Sequence, residues 1–538
     1  AFLVTTMHSY KNQLILYSCS LILHFSSAAN ILILSSLYLG DERVIENQFA
    51  NILAHERHRV TVYRFENTAQ TPDEIKGVNF NHMRVNKDVC KHSYFNEDGV
   101  LDFPHNYSWT LPRRRATLGF DFMTMHICQC QVLINDDKLL AKLKKEKYHL
   151  ALVNIFFNEC SLAVTHLLKI PTMSFSTVPS VGGQQFYSGV MELPAIVPLF
   201  MSELTSSMKF TDRLYNALTF VEYKIFYAIH YSNINSYIQK IHPDVPSVQN
   251  LLADTAVLIT TTDLILEHPR ATTRNVIPLG CITCRLLKEV PQGLSAFLNS
   301  TSESNAVVIN FGSLAAKAEW IPTDFLQEME QFIKTSKKKF VVTFNIPSIK
   351  KLTNVYVDQK TPLQDILGQT EVELLISGCH VNDLMEAMHR TVPILCIPVF
   401  LDQGDNAARI EEIDVGRSLD VLEFSGEKLE QLVEDMLIPA NSSRMRNKAI
   451  QYASIRKSEF SSSVSTFIYW IKMVLLYRDM EHLKLGNRKL NIFQYYSCDV
   501  ILMLFLIFYT IRVVLKYFIR LLKLVVFSRR TEEKQKKQ

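Results

Sequence analysis

Short, continuous apolar runs recur along this chain with helix-length amphipathic stretches between them, and that alternation limits the fold more than any other feature. Asn30-Ile-Leu-Ile-Leu-Ser35 is followed by a polar turn, by Val44 to Ala54 with apolar residues at helical spacing, and then by Val60-Thr-Val62. A strand, a helix and a second strand in this order predict a βαβ unit and a parallel sheet. Leu150 to Val153 and Pro171 to Phe175 read as later strands of the same sheet. The pattern restarts at Ala306 to Asn310, followed by Gly312-Ser313 and a helical stretch from Asp324 to Ile333. Phe340 to Phe344, Leu374 to Ile376 and Ile394 to Ile397 supply further strands. The expectation is an α/β protein with two doubly wound domains, joined near Lys288 to Gly293. A nucleotide would lie in the cleft between them, outside the carboxyl ends of strands.

A chain of 538 residues suits two such domains with terminal appendages. Hydrophobic residues at 48% and charged residues at 20% describe a globular protein with an extra apolar segment. The net charge of +4 is spread without a basic stripe, which argues against nucleic acid as a partner. Only 16 glycines are present, and neither GxGxxG nor GxxxxGK[ST] occurs, which removes glycine-rich phosphate loops from consideration. The cysteines are scattered. The pair Cys281 and Cys284 lacks a second CxxC for zinc and reads as structural.

The two ends suggest a location. Lys11 precedes an apolar run from Leu14 to Leu23 that closes in Ser26-Ser27-Ala28-Ala29, the pattern of a signal peptide over residues 1–29. His24 interrupts the run, and an uncleaved buried helix is the plainer alternative. Val500 to Ile511 is almost wholly apolar, and residues 490–515 reach spanning length with Asp499 and Arg512 near the interfaces. Lys516, Arg520, Lys523, Arg529, Arg530, Lys534, Lys536 and Lys537 make 516–538 a basic tail, placed in the cytosol by the positive-inside rule. The bulk would then be lumenal, and Lys536-Lys537 resembles a retrieval signal for the endoplasmic reticulum. Sequons at Asn106, Asn299 and Asn441 fit a lumenal body.

One ordered series is more specific: Asn354-Val-Tyr-Val357, Pro362, Asp365-Ile-Leu-Gly368, Asn382, Glu386-Ala387, Val392-Pro393, Ile397-Pro398 and Asp402-Gln403. Here the sequence resembles the UDP-glucuronosyltransferase family, and the resemblance extends over nearly the whole chain, including Phe493 to Asp499. It implies two facing Rossmann-like domains, the GT-B arrangement, with an acceptor domain over 30–287, a UDP-sugar domain over 288–489 and a C-terminal membrane helix. It implies transfer of a sugar, typically glucuronic acid, from a UDP donor to a small lipophilic acceptor, with inversion at the anomeric carbon and with no metal or other cofactor. Glu386 would accept the ribose hydroxyls, Asp402 and Gln403 would hold the sugar, and Ser313 would meet the phosphates. Asn382 would also face the donor; by itself it reads as a helix cap.

Other positions depart from the family. Lys360 stands where a Trp stacks on uracil, and Leu363 where a Gln reads the base. The diphosphate His is displaced in Ser377-Gly378-Cys379-His380, which leaves His380 either near a phosphate or as an ordinary loop residue. Alignment without gaps puts Glu42 at the family's catalytic His and Asn154 at the acid that orients it. A carboxylate near pKa ~4.3 is a weaker base than imidazole, and beside Arg43 Glu42 reads equally as a solvated loop acid. Two readings follow: an active transferase, or a catalytically impaired relative that binds a partner or a lipophilic ligand. Paired anchors in one membrane would favour homo- or hetero-oligomers.

Overall fold

The computed structural model describes residues 28–37, 41–66, 75–86, 90, 95–98, 100, 117–177, 186–261, 263–300, 306–312, 321–344, 346, 348–457, 462–486 and 490–535. The expected signal peptide therefore lies outside the described residues but for its last two. Residues up to Lys484 form one compact unit and Leu485–Gln538 a second.

The first unit has two lobes. The N-terminal lobe runs β1 (Asn30–Leu34), α1 (Asp41–His55), β2 (Arg59–Phe65), β3 (Val78–Met83), α2 (Thr117–Asn135), α3 (Asp137–Glu146), β4 (Leu150–Asn154), α4 (Glu159–Leu168), β5 (Thr172–Ser176), α5 (Phe210–Ile241), α6 (Val248–Asp254), β6 (Leu258–Thr260) and β7 (Val276–Pro278). Its seven strands lie in the order β3-β2-β1-β4-β5-β6-β7, all parallel, with Ile31 level with both Val60 and Leu150. Every residue of β1 is buried, as a strand covered on both faces requires, and this is why it reads as a continuous apolar run.

The C-terminal lobe repeats the plan with α7 (Gln292–Leu298), β8 (Ala306–Asn310), α8 (Thr323–Thr335), β9 (Lys339–Val342), β10 (Val355–Val357), α9 (Leu363–Ile366), β11 (Val372–Ser377), α10 (Val381–Arg390), β12 (Ile394–Cys396), α11 (Gln403–Glu412), β13 (Gly416–Ser418), α12 (Gly426–Leu437) and α13 (Pro439–Lys457). Six parallel strands are ordered β10-β9-β8-β11-β12-β13. The strand order reverses at β1/β4 in one lobe and at β8/β11 in the other, the place where open α/β sheets bind ligands. The helix α14 (Ser463–Tyr477) departs from the expected division. It lies within 288–489 yet packs on the N-terminal lobe, with Phe467 stacked on Phe49 at 4.5 Å and Lys472 paired with Glu56 at 3.2 Å.

Cysteines that look scattered in sequence pair in space: Cys90–Cys128, Cys130–Cys160, Cys281–Cys284 and Cys379–Cys396 are disulfides. Disulfides of this kind form and persist in oxidising compartments. The CxxC is thus structural, and it starts a linker held against the C-terminal lobe. Arg285 makes a bidentate pair with Asp365, whose Oδ1 also accepts the Lys288 amide at 2.9 Å.

The second unit holds α15 (Ile492–Tyr495) and α16 (Cys498–Gln535). Within α16, the 27 residues Cys498–Leu524 are long and apolar enough to cross a membrane. The helix begins later than the expected 490 and runs on through the basic tail. Arg512, Lys516 and Arg520 are good helix formers one turn apart, so nothing there stops it.

Candidate active site between the lobes

The carboxyl ends of β8, β9 and β11 converge on one half-buried acid. Asp383, in the first turn of α10, accepts Asn310 Nδ2 at 2.8 Å and Ser377 Oγ at 2.7 Å, while Thr343 Oγ1 donates to Asn310 Oδ1 at 2.6 Å. These bonds tie the start of α10 to three strand ends. Gly312, at φ +54°, turns the chain sharply after β8, a conformation that suits a residue without a side chain. The expected phosphate contact Ser313 follows it and lies outside the described residues.

Helix α10 then presents Asn382 and Glu386, one turn apart on one face and both nearly buried. Asn382 is not the cap: that position is His380, with φ −63° and ψ 140°, so Asn382 sits inside the helix. Burial pushes the Glu386 carboxyl up to about 7, with Asp383 adding to the shift; a hydrogen bond from Thr283 and the charges of Arg285 and Arg390 oppose it. Thr283 belongs to the disulfide-closed linker, so the linker helps to orient the acid.

The loop ahead of α10 is pinned by Cys379–Cys396 and by Asn406 Nδ2, which donates to Cys379 O at 3.0 Å. A Cβ on Gly378, where the family His would project, would stand 3.5 Å from the Gln403 amide, so Gln403 lies over the space that His would enter. Gln403 Oε1 accepts the amides of Val399 and Phe400 at 2.8 and 2.9 Å, and Asp402 Oδ2 accepts Asn406 Nδ2 at 2.8 Å. Part of the capacity that the sequence assigns to a sugar therefore shapes this corner. Lys360 is exposed and Leu363 half-buried; the neighbouring Gln364 is committed to Thr283 O and the Arg285 amide at 3.0 Å each.

The N-terminal lobe reaches this corner directly. Asp405 Oδ2 and Oδ1 accept the amides of Met201 and Glu203 at 2.5 and 2.7 Å, Glu412 accepts the Ser206 amide at 2.9 Å, and Arg409 donates to Ile265 O at 2.8 Å. Burial raises the Asp405 carboxyl to about 8 against the pull of those two amides.

On the acceptor side the structure revises the expected pair. Glu42 is in the first turn of α1 rather than in a loop, and its side chain is outside the described residues. Asn154, at the end of β4, donates through Nδ2 to Glu46 Oε1 at 3.2 Å. Glu46 also accepts Ser35 Oγ at 2.5 Å and lies 3.6 Å from Arg64. Burial raises its pKa even though Arg64, Ser35 and Asn154 all favour the ionised form. The acid that partners Asn154 is therefore Glu46, one helical turn beyond Glu42. Its signal in the sequence is a lone carboxylate at a core spacing, between Ile45 and Phe49.

Two lobes built on parallel sheets, each with a strand-order reversal, and a strand-end acid cluster at the start of α10 are the marks of a sugar-nucleotide transferase of the GT-B type. The UDP-glucoronosyl and UDP-glucosyl transferase family matches residues 46–538, and the chain belongs to that family. It is 27% identical to UDP-glucuronosyltransferase 3A1 of Xenopus laevis over 71% of this chain and 72% of that protein. It is 25% identical to the human 2-hydroxyacylsphingosine 1-beta-galactosyltransferase over 72% and 70% respectively. Among solved structures, a UDP-glucosyltransferase from Polygonum tinctorium superposes with TM-score 0.55 at 13% identity, over 84% of this chain and 99% of that one, a likeness of fold.

Proposed function

We propose that this UDP-sugar glycosyltransferase binds its donor along the carboxyl ends of the C-terminal sheet and transfers the sugar to a small lipophilic hydroxyl or acid held by the N-terminal lobe. The observation that carries the reading is Glu386: a carboxylate one turn into α10, buried yet flanked by Arg285 and Arg390, on the helix that opens at the strand reversal. It would accept the two ribose hydroxyls, Asn382 and His380 would face the donor from the same helix start, and Asp402 and Gln403 would meet the sugar. The turn at Gly312-Ser313 would receive the diphosphate through backbone N–H groups, a role that needs no metal.

Asp402 and Glu203 both act on the Asp405 carboxyl, so acids crowd the sugar corner. That crowding favours a neutral hexose over a uronate. On the acceptor side, Asn154 and Glu46 stand in for the catalytic pair, and Glu46, with its raised pKa, would be a better base than Glu42. Loss of a well-placed base costs roughly 10²- to 10⁴-fold in rate, so slow turnover is the expectation. The setting is an endoplasmic reticulum membrane, with α16 as a single anchor and the first unit in the lumen, in keeping with the disulfides.

The test is incubation of the full chain with labelled UDP-glucose, UDP-galactose and UDP-glucuronic acid and a panel of phenols, sterols and carboxylic acids. Transfer that Glu386→Gln weakens through donor KM supports the reading. Saturable UDP binding that ignores Glu386→Gln, with no transfer from any donor, sinks it in favour of an impaired, binding relative, for which Asn154, Lys360, Leu363 and Gly378 speak.

A further inference from the structure

Away from the donor cleft, three ligand-type side chains meet at one point in the N-terminal lobe. His126 comes from the middle of α2, Glu159 from the first residue of α4, and His230 from α5. All three side chains are fully buried. His126 Nδ1 lies 3.1 Å from Glu159 Oε2, His230 Nε2 lies 3.5 Å from the same oxygen, and the two nitrogens are 3.2 Å apart.

Two neutral imidazoles and a carboxylate cannot satisfy this triangle. If both nitrogens carry protons toward Oε2, the two N–H groups face each other across the 3.2 Å edge. If either nitrogen gives up its proton to accept from the other ring, its lone pair is aimed at the carboxylate. One edge is repulsive in every tautomer. A cation at the centre makes all three favourable. Four-coordinate zinc with bonds of about 2.0–2.1 Å sets its ligand atoms roughly 3.3–3.4 Å apart, which the three measured edges bracket.

We infer that His126 Nδ1, Glu159 Oε2 and His230 Nε2 form a binding site for a divalent transition cation of the zinc class, which would tie α2, α4 and α5 together beneath the acceptor side of the cleft. Two imidazoles and one carboxylate suit zinc, with water in the fourth position. The surroundings are dry and aromatic: the Phe157 ring is 5.4 Å from that of His230, and Tyr227 and Tyr231 lie close by. The outer shell is unfavourable: the Cys160 amide N–H points at His126 Nε2 at 3.5 Å, the nitrogen that carries the ring proton when Nδ1 binds a metal, and His230 Nδ1 is buried without a hydrogen-bond partner. Metal-bound histidines gain affinity from an acceptor at that far nitrogen, by roughly 10- to 100-fold, so the ion here is exchangeable rather than locked in. The transfer chemistry does not involve it; the ion would act on stability.

Full-length protein is stripped with a chelator under non-reducing conditions, offered zinc alone, dialysed and analysed for metal; cobalt(II) then reports coordination through its visible bands. About one equivalent of zinc, tetrahedral cobalt bands and a thermal midpoint raised by roughly 2–5 °C are expected at saturating metal. His230→Gln and Glu159→Gln should abolish all three. The sulfurs of Cys130 and Cys160 also lie beside His126, and metal capture by those thiols after accidental reduction would survive His230→Gln. Wild-type protein that retains no zinc overturns the inference whether or not the variants fold. Zinc retained equally by wild type and folded His230→Gln overturns it as well.

Discussion

At the residue scale, Glu386 and the pair Asn154–Glu46 carry the sharpest consequences. In the proposed donor mode Glu386 accepts the ribose hydroxyls as a carboxylate, and burial raises its pKa from 4.5 to about 7. Donor affinity should therefore fall as pH drops below about 7, and Glu386→Gln should raise donor KM roughly 10- to 100-fold with little change in kcat, the worth of a hydrogen bond to a charged group. Stability of the unliganded protein runs the other way. The folded state holds this proton above 4.5 where the unfolded chain releases it, so the group's contribution is full below 4.5 and is lost as pH rises through about 7. A pH series of UDP titrations beside thermal melts separates the two trends. Asn154→Asp would bring a second carboxylate within 3.2 Å of Glu46 in a buried setting, and a loss of roughly 1–3 kcal/mol in denaturant unfolding is expected. Glu46→Gln added to Asn154→Asp should recover most of it. The place of Glu386 and Asn382 in an ordered motif marked them as donor-side candidates. Glu46 was not, because an acid inside an amphipathic helix reveals its burial only when the facing strand end, 108 residues away, is known.

At the scale of elements, continuous apolar runs such as β1 and β8 announce buried parallel strands, and the sequence reading placed them within a residue or two. Among the three-residue strands, β12 was read from its apolar run Ile394 to Ile397, while β6, β7, β10 and β13 carry too few residues for a period to register and went unread as strands. The 32-residue α5 was also missed. Tyrosine, phenylalanine and asparagine crowd its sequence, and its buried face includes Asn216, Thr219 and His230 as well as apolar residues, which blurs the helical period. Disulfides depend on that same long-range geometry. Cys379–Cys396 staples the loop carrying Gly378 and His380 to the end of β12, across 17 residues. Replacing both cysteines by serine should cost about 3 kcal/mol on the chain-entropy account. It should also weaken UDP binding more than a matched removal of Cys90–Cys128, which lies in the other lobe; calorimetry of the two variants checks this.

For the whole molecule, the two units make separable predictions. A chain ending at Lys484 keeps the first unit intact and should bind UDP with the affinity of the full chain, measured in detergent-free buffer. Within that unit the lobes are joined by the amides of Met201 and Glu203 on Asp405, and Asp405→Ala should speed limited proteolysis between residues 199 and 206 by several-fold. The return of α14 to the N-terminal lobe has a consequence for how the protein is made. Phe49 is stacked by Phe467, and the strip formed by Ile45, Phe49 and Leu53 shares its core with Ile471 and Val474. Translation at ~5–20 residues per second delivers that cover roughly 20–80 s after the strip itself has been synthesised. Through that interval the first lobe is a nascent domain with an open apolar flank. The last-made segment of the catalytic body completes the first-made one, so a premature stop between the lobes leaves a fragment that chaperones retain and quality control removes.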